Sequence, residues 1–275
     1  MRRFLGIACG LVTHAVFLVT LVPLYRFLRN DFAAAPEGPL WIDAAAALQF
    51  AIPHSILLHP ATRKWITRRV RCEFYGLLFC FATCVSLWLV FAVWRGSHSI
   101  AWAWPQSLRP VVEAGFVVSW ITLFYSLSLT GFGYQTGLTP WWHWVRRRPV
   151  PRREFRPVGA YRYTRHPVYL SFLGLVWLIP VVTLDRAMLI GLWTVYVFIG
   201  SHLKDRRLAR LIGEPYRRYQ AEVPAFPFFA FFARGPISRG PSENQQSLVN
   251  ANPANNRPEV CSNAVTVAAD LAGNG

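Results

Sequence analysis

Long runs without a charged side chain decide what this sequence can fold into. Residues 4–25 are interrupted only by His14, residues 40–58 only by Asp43 and His54, and residues 74–94 by no charge at all. Residues 111–129 carry only Glu113, and the runs 168–184 and 187–203 flank a single Asp185-Arg186 pair. Crossing a bilayer takes ~20 apolar residues, with ~17 tolerated. The expected fold is therefore all-α: a polytopic membrane protein of about six transmembrane helices, the last two a tight hairpin. A soluble bundle of long helices would show polar stripes, which most of these runs lack.

The basic residues orient such a bundle. With the N-terminus inside, segments on the cytoplasmic side hold twenty-one Lys and Arg, whereas the outer loops hold five: Arg26, Arg29, Arg95, Arg109 and Arg186. That asymmetry places both termini in the cytoplasm. It also accounts for the net charge of +16 through contact with anionic lipid. A nucleic-acid partner is not expected, since no soluble domain is left to present a binding face. The first run follows Arg2-Arg3 but is long for a signal-peptide core and lacks a small-x-small cleavage site before Pro23, so it reads as a retained helix.

The domain division is 1–233 for the membrane unit, with the site expected within 131–224, and 234–275 for a tail rich in Asn, Pro, Ser, Ala and Gln that reads as disordered. Trp141, Trp142 and Trp144 beside Arg146-Arg147-Arg148 read as an interfacial belt. The segment Gly131-Phe132-Gly133-Tyr134-Gln135-Thr136-Gly137 lacks the strand that a dinucleotide loop requires and reads as a helix-ending loop. No metal-ligand spacing occurs, and Cys80 and Cys84, one turn apart in the third run, read as buried inert thiols.

Two polar clusters carry the chemistry. Tyr161-Arg162-Tyr163-Thr164-Arg165-His166-Pro167-Val168-Tyr169 stands where the fifth apolar run begins. Ionisable groups at that depth are costly and point to function. Pro167 suits the first turn of a helix, which sets Arg165 and His166 at its positive end, where an anion such as an amino-acid carboxylate can bind. The second cluster holds Asp205-Arg206-Arg207, then Gly213 to Tyr219, ending at Val223-Pro224. If the runs between them form a hairpin, both clusters meet on one membrane face. Asp205 then either pairs locally among Lys204, Arg206 and Arg207 or faces a cationic or hydroxyl group of a ligand. Tyr216 and Tyr219, at i and i+3, share a helical face. His54-Ser55 forms a polar island in the second run, open to interhelical hydrogen bonding or to substrate contact.

The Arg165-His166-Pro167-x-Tyr169 start, the apolar hairpin and the Gly213-x-x-Tyr216-x-x-Tyr219-x-x-x-Val223-Pro224 ending resemble membrane methyltransferases of the isoprenylcysteine carboxyl methyltransferase and phospholipid methyltransferase superfamily. Ile52-Pro53-His54-Ser55, Pro60 to Trp65 and Tyr75 are similar to the NnrU-type branch that includes methanethiol S-methyltransferases. The resemblance implies S-adenosyl-L-methionine as methyl donor. It assigns Tyr161, Arg165, His166, Tyr169, Asp205, Tyr216 and Tyr219 to the cofactor site. His166 is then the candidate base, Arg165 an electrostatic partner or carboxylate clamp, and Tyr161 or Tyr169 a cation–π cradle for the sulfonium. The implied acceptor is a small or apolar nucleophile, a thiol above all, with His54 and Ser55 as contacts. The implied location is the bacterial inner membrane. Where the superfamily has two glutamates after the last span, this chain has Lys204-Asp205. A weaker resemblance, to nicotinamide-dependent sterol reductases, rests on the Arg-His-Pro-x-Tyr motif and slightly on Asp205-Arg206-Arg207, while the six-span layout and the His54-Ser55 segment argue against it.

Overall fold

The computed structural model describes residues 2–31, 37–151 and 155–229. The expected disordered tail, 234–275, lies outside them, as do Arg152 and Arg153. The elements are α1 (Arg2–Leu28), α2 (Leu40–Leu58), α3 (Pro60–Thr67), α4 (Tyr75–Val93), β1 (Ile100–Ala103), α5 (Arg109–Thr130), α6 (Phe132–Gln135) and α7 (Leu138–Val145). They continue with α8 (Pro167–Trp177), β2 (Val181–Thr183), α9 (Leu184–Ile212) and α10 (Glu214–Glu222). Among the described residues five helices, α1, α2, α4, α5 and α9, are long and apolar enough to cross a membrane. The chain is an all-α polytopic membrane protein. Its outward faces keep Leu11, Leu18, Val85, Ile121, Val195 and Ile199 exposed, as lipid-facing surfaces require.

The fifth apolar run takes a different form from the other five. Only its 11 residues in α8 are helical, a rise of ~16 Å. Pro180 cannot donate a helical hydrogen bond and biases Ile179 toward extended backbone, and Val181-Val182-Thr183 suit a strand. β2 accordingly pairs antiparallel with β1, Trp102 opposite Val182 and Ala103 opposite Val181. The hairpin is kept, with α8 descending from one end of the bundle and α9 returning to it. α9 runs unbroken for 29 residues, or ~44 Å, longer than a ~30 Å hydrocarbon core. Its last turns therefore reach past that thickness and carry Lys204, Asp205 and Arg207.

The expected loop after α5 is partly helical, as α6 and α7, with Gly131 (φ 83°) and Gly137 (φ 78°) making the turns. α7 corrects the reading of its tryptophans as a belt. Trp141 is buried and donates from Nε1 to the Gly6 carbonyl at 2.9 Å. A Cβ at Gly10 would lie 2.0 Å from the Trp141 ring, and one at Gly6 would lie 2.5 Å from Trp144. The two glycines, four residues apart on α1, thus admit two indoles. Trp142 alone remains 42% exposed, under the Arg146 guanidinium at 4.5 Å.

At the end of the bundle away from α10, a buried polar knot ties four segments. Asp43 accepts from the backbone N–H of Arg95 (2.7 Å) and Gly96 (3.2 Å). Asp185 accepts from Trp94 Nε1 (3.0 Å), Ser97 N (3.1 Å) and Thr183 Oγ1 (2.5 Å). Arg186, expected in an exposed outer loop, is only 3% exposed. Its Nε donates to Asn30 Oδ1 at 2.8 Å and its guanidinium lies 4.2 Å from the Phe27 ring. Removing one partner of a buried ion pair costs about 3–5 kcal/mol, because the other charge stays buried. Asp185→Ala is therefore expected to lower unfolding stability in mild detergent by about that amount, whereas Asp31→Ala, in an exposed pair with Arg29, should cost under ~1 kcal/mol. Equal effects of the two substitutions would contradict the assignment.

Candidate functional site

The start of α8 is shaped by local chemistry. Pro167 occupies its first turn and His166 its N-cap position. The preceding turn, residues 159–162, needs Gly159 at φ 55°, where a Cβ would lie 2.5 Å from Tyr125 Oη. That turn rests on α5 and delivers Tyr161 inward. At the other side of the hairpin, Gly213 (φ 77°) ends α9 and Pro215 opens α10. Tyr216 and Tyr219 are then buried together on one face of α10, as their spacing predicts.

Asp205 joins these pieces. Its carboxylate meets Arg165 Nη2 at 2.9 Å and accepts from Tyr216 Oη at 2.5 Å. His166 Nε2 stands 3.1 Å away, within ion-pair distance but poorly aligned for a hydrogen bond. The described contacts of Asp205 thus run across the hairpin to Arg165, His166 and Tyr216. Arg165 Nη1 donates to the Gln220 and Val223 carbonyls at 2.7 and 2.9 Å, and its backbone N–H donates to Pro224 O at 3.0 Å. Tyr219 Oη donates to the Tyr161 carbonyl at 2.6 Å, and Thr164 Oγ1 to Ala225 O at 2.7 Å. Phe226 packs against Phe198 and the His166 ring. The Val223-Pro224 ending thus folds back onto the start of α8.

Burial sets the protonation states. His166 is 1% exposed, and that burial pushes its pKa below the ordinary value; Lys204 and Arg165 add to the effect and Asp205 opposes it. The imidazole is therefore neutral at neutral pH. Burial likewise pushes the Tyr161, Tyr216 and Tyr219 phenols up, so all three stay protonated.

Beside this junction lies a cavity of about 50 Å³, lined by Tyr161, Arg165, Lys204, Tyr216 and Tyr219, with Thr130 and the 155–158 segment across from them. Phe155 closes it edge-on against both Tyr216 and Tyr219, each at 5.5 Å between centroids. His166, Tyr169 and Asp205 are not among the lining residues; they stand behind Arg165 and Lys204. Lys204, given no site role from the sequence, is 5% exposed with Nζ 5.5 Å from the Tyr169 ring centre. Its signal was positional: it replaces the first of the two superfamily carboxylates.

His54 and Ser55 sit elsewhere. The His54 ring packs between Phe50 and Phe79 with Nδ1 3.4 Å from Thr83 Oγ1, and Ser55 Oγ meets Tyr196 Oη at 2.9 Å. Both therefore serve contacts of α2 with its neighbours. A separate, mostly apolar groove of about 720 Å³ runs between α5, α8 and α9, from Tyr163 to Trp177. Among the described residues no group of three or more His, Cys, Asp or Glu is placed to hold a metal.

Several proteins are similar to this chain in sequence. A Bradyrhizobium diazoefficiens protein named methanethiol S-methyltransferase 1 is 26% identical over 237 residues, spanning 80% of this chain and 81% of its own length. A Pseudomonas sp. methanethiol S-methyltransferase is 27% identical over 236 residues, spanning 80% and 89%. Nurim of Rattus norvegicus is 24% identical over 191 residues, spanning 65% and 71%. No solved structure matches. The family model described as NnrU protein covers residues 44–241, well over half of the chain, which thereby belongs to the NnrU family.

Proposed function

We propose that this chain is an S-adenosyl-L-methionine-dependent methyltransferase of the bacterial inner membrane that methylates a small apolar thiol, methanethiol, to dimethyl sulfide. The observation that carries the reading is the junction at Asp205. It brings Arg165, Lys204 and three tyrosines to one cavity at the end of an apolar bundle, in a family whose named relatives include methanethiol S-methyltransferases. The basic asymmetry puts that end in the cytoplasm, where a charged donor is available, while an apolar thiol partitions into the bilayer.

The residues fit such a donor chemically. Arg165 Nε is buried without a hydrogen-bond partner, and Arg156 lines the mouth, so cationic donors are available for a carboxylate. The tyrosine rings suit a sulfonium. As closed, the cavity's 50 Å³ falls short of the ~300–1,000 Å³ of typical small-molecule sites. A whole donor needs more room than this cavity offers. When bound, the donor supplies an electrophilic methyl group. The protein's part is to fix the junction, exclude water and hold the acceptor in line. His166, neutral and turned to Asp205, is a positioning residue in this reading rather than the base.

Membranes containing the chain, supplied with methanethiol and S-adenosyl-L-methionine, are expected to release dimethyl sulfide, and membranes lacking the chain to release none. Donor binding with no product would favour the second reading, a binding protein without turnover. The His166 environment adds a pH dependence. Its depressed folded pKa means that, below an unfolded value of ~6.5, the unfolded chain takes up a proton that the folded one refuses. Stability is therefore complete above that pH and declines as pH falls below it. Thermal unfolding between pH 7 and 5 should show a smaller decline in His166→Gln than in the natural chain; identical declines would count against a neutral, buried His166.

A further inference from the structure

The apolar groove between α5, α8 and α9 takes no part in the Asp205 junction, yet it shares a wall with the donor cavity. Ala160 and Thr164 line the groove, while their chain neighbours Tyr161 and Arg165 line the cavity. On α5, Ser126 lines the groove and Thr130, one helical turn on, lines the cavity. Phe228 at the groove stacks on Phe226, which packs against His166. An occupant of the groove therefore ends against the residues that build the donor site.

Size and chemistry define that occupant. At about 720 Å³ the groove falls within the ~300–1,000 Å³ of ordinary small-molecule sites. It follows α8 for ~15 Å, from Pro167 to Trp177. Methanethiol, one carbon and one sulfur, would occupy only one end. Hydroxyls along the walls are turned back onto their own helices. Ser119 donates to Gly115 O at 2.8 Å, Thr122 to Val118 O at 2.9 Å and Ser171 to Pro167 O at 2.9 Å. Ser126 differs. It is 0% exposed, and its Oγ has no hydrogen-bond partner among the described residues. A buried hydroxyl left unpaired is costly, and a plain hydrocarbon chain would leave it so. An occupant with a polar atom at the shared wall and an apolar chain along α8 meets both demands.

Resting on the methyltransferase reading, we propose that this groove is the acceptor's binding site and that the acceptor class is linear alkanethiols longer than methanethiol. The chain lies along α8, and the sulfur accepts the Ser126 Oγ–H at the wall shared with the donor cavity. Thr122 and Trp177 at the rim are exposed, so a thiol dissolved in the bilayer enters from the side.

Photolabelling tests the binding with no donor present. The full chain in lipid nanodiscs is irradiated with a diazirine-bearing alkanethiol, and labelled peptides are identified by mass spectrometry. Labels are expected on residues 119–126 and 170–177. Excess hexanethiol should reduce them about tenfold, and heptane, of matched size but without sulfur, by less than about twofold. Thr122→Phe, which sets a ring into the groove from an exposed position, should abolish the competed labelling; Leu170→Trp serves where Thr122→Phe does not fold. Ser126→Ala should weaken hexanethiol binding about fivefold to tenfold without lowering unfolding stability, since the hydroxyl has no partner in the fold. With donor added, kcat/KM for hexanethiol relative to methanethiol should fall about tenfold in the groove-filled variants, whose bilayer takes up both thiols as before. Equal competition by heptane and hexanethiol overturns the proposal and makes the groove a lipid-chain site. Unchanged labelling in the groove-filled variants overturns it too, as does a natural chain that forms dimethyl sulfide but no hexyl methyl sulfide. Absence of dimethyl sulfide from the natural chain overturns the underlying methyltransferase reading instead, and the donor-free labelling still decides the groove.

Discussion

Asp205 carries a carboxylate into a largely buried place, and the site end of the molecule is organised around satisfying it. An unpaired charge there would be expensive, so the fold supplies Arg165, Tyr216 and His166 from both sides of the α8–α9 hairpin. Each partner brings a neighbour with it. Arg165 draws in the carbonyls of Gln220 and Val223. Tyr216 brings Tyr219, whose hydroxyl fixes the turn at Tyr161. The cavity walls are thus consequences of one buried anion. Because removal of either charge strands the other, the junction forms as a unit.

The knot of Asp43, Asp185 and Arg186 answers it at the far end. Between helices in lipid there is little hydrophobic drive, so close packing and polar contacts set register. Gly6 and Gly10 provide the first kind, admitting Trp144 and Trp141. The two buried ionic groups provide the second, one at each end of the bundle. A frame pinned in this way keeps the α8 start and the α9 extension in fixed relation, which is what holding two reactants in line demands.

Much of this was legible in the sequence. The uncharged runs gave the five long helices, and the hairpin argument brought Arg165 and His166 to Asp205 across forty residues. The i, i+3 spacing placed Tyr216 and Tyr219 on one face. Other features were hidden for physical reasons. Pro180 shortened α8 because strand pairing with residues 100–103 offered its neighbours a better use of their backbone groups, a partner that no local pattern reveals. Arg186 read as a loop residue because spacing says nothing of Phe27 and Asn30, which come from the end of α1. Lys204 looked like a mere departure from the superfamily, and only the direction of its helix face shows that it lines the cavity while Asp205 does not. His54-Ser55 was a polar island with two readings, and its contacts with Phe79 and Tyr196 are interhelical ones.

The central claim is that the Asp205 junction builds the donor site. Titration of S-adenosyl-L-methionine by calorimetry into the full chain in nanodiscs tests it most directly. A charge-assisted hydrogen bond is worth about 1.5–3 kcal/mol, so Arg165→Ala and Asp205→Ala should each weaken binding roughly tenfold to a hundredfold. Arg147→Ala, at an exposed position beyond α7, should leave it unchanged. Unaltered donor affinity in both junction variants would contradict the account.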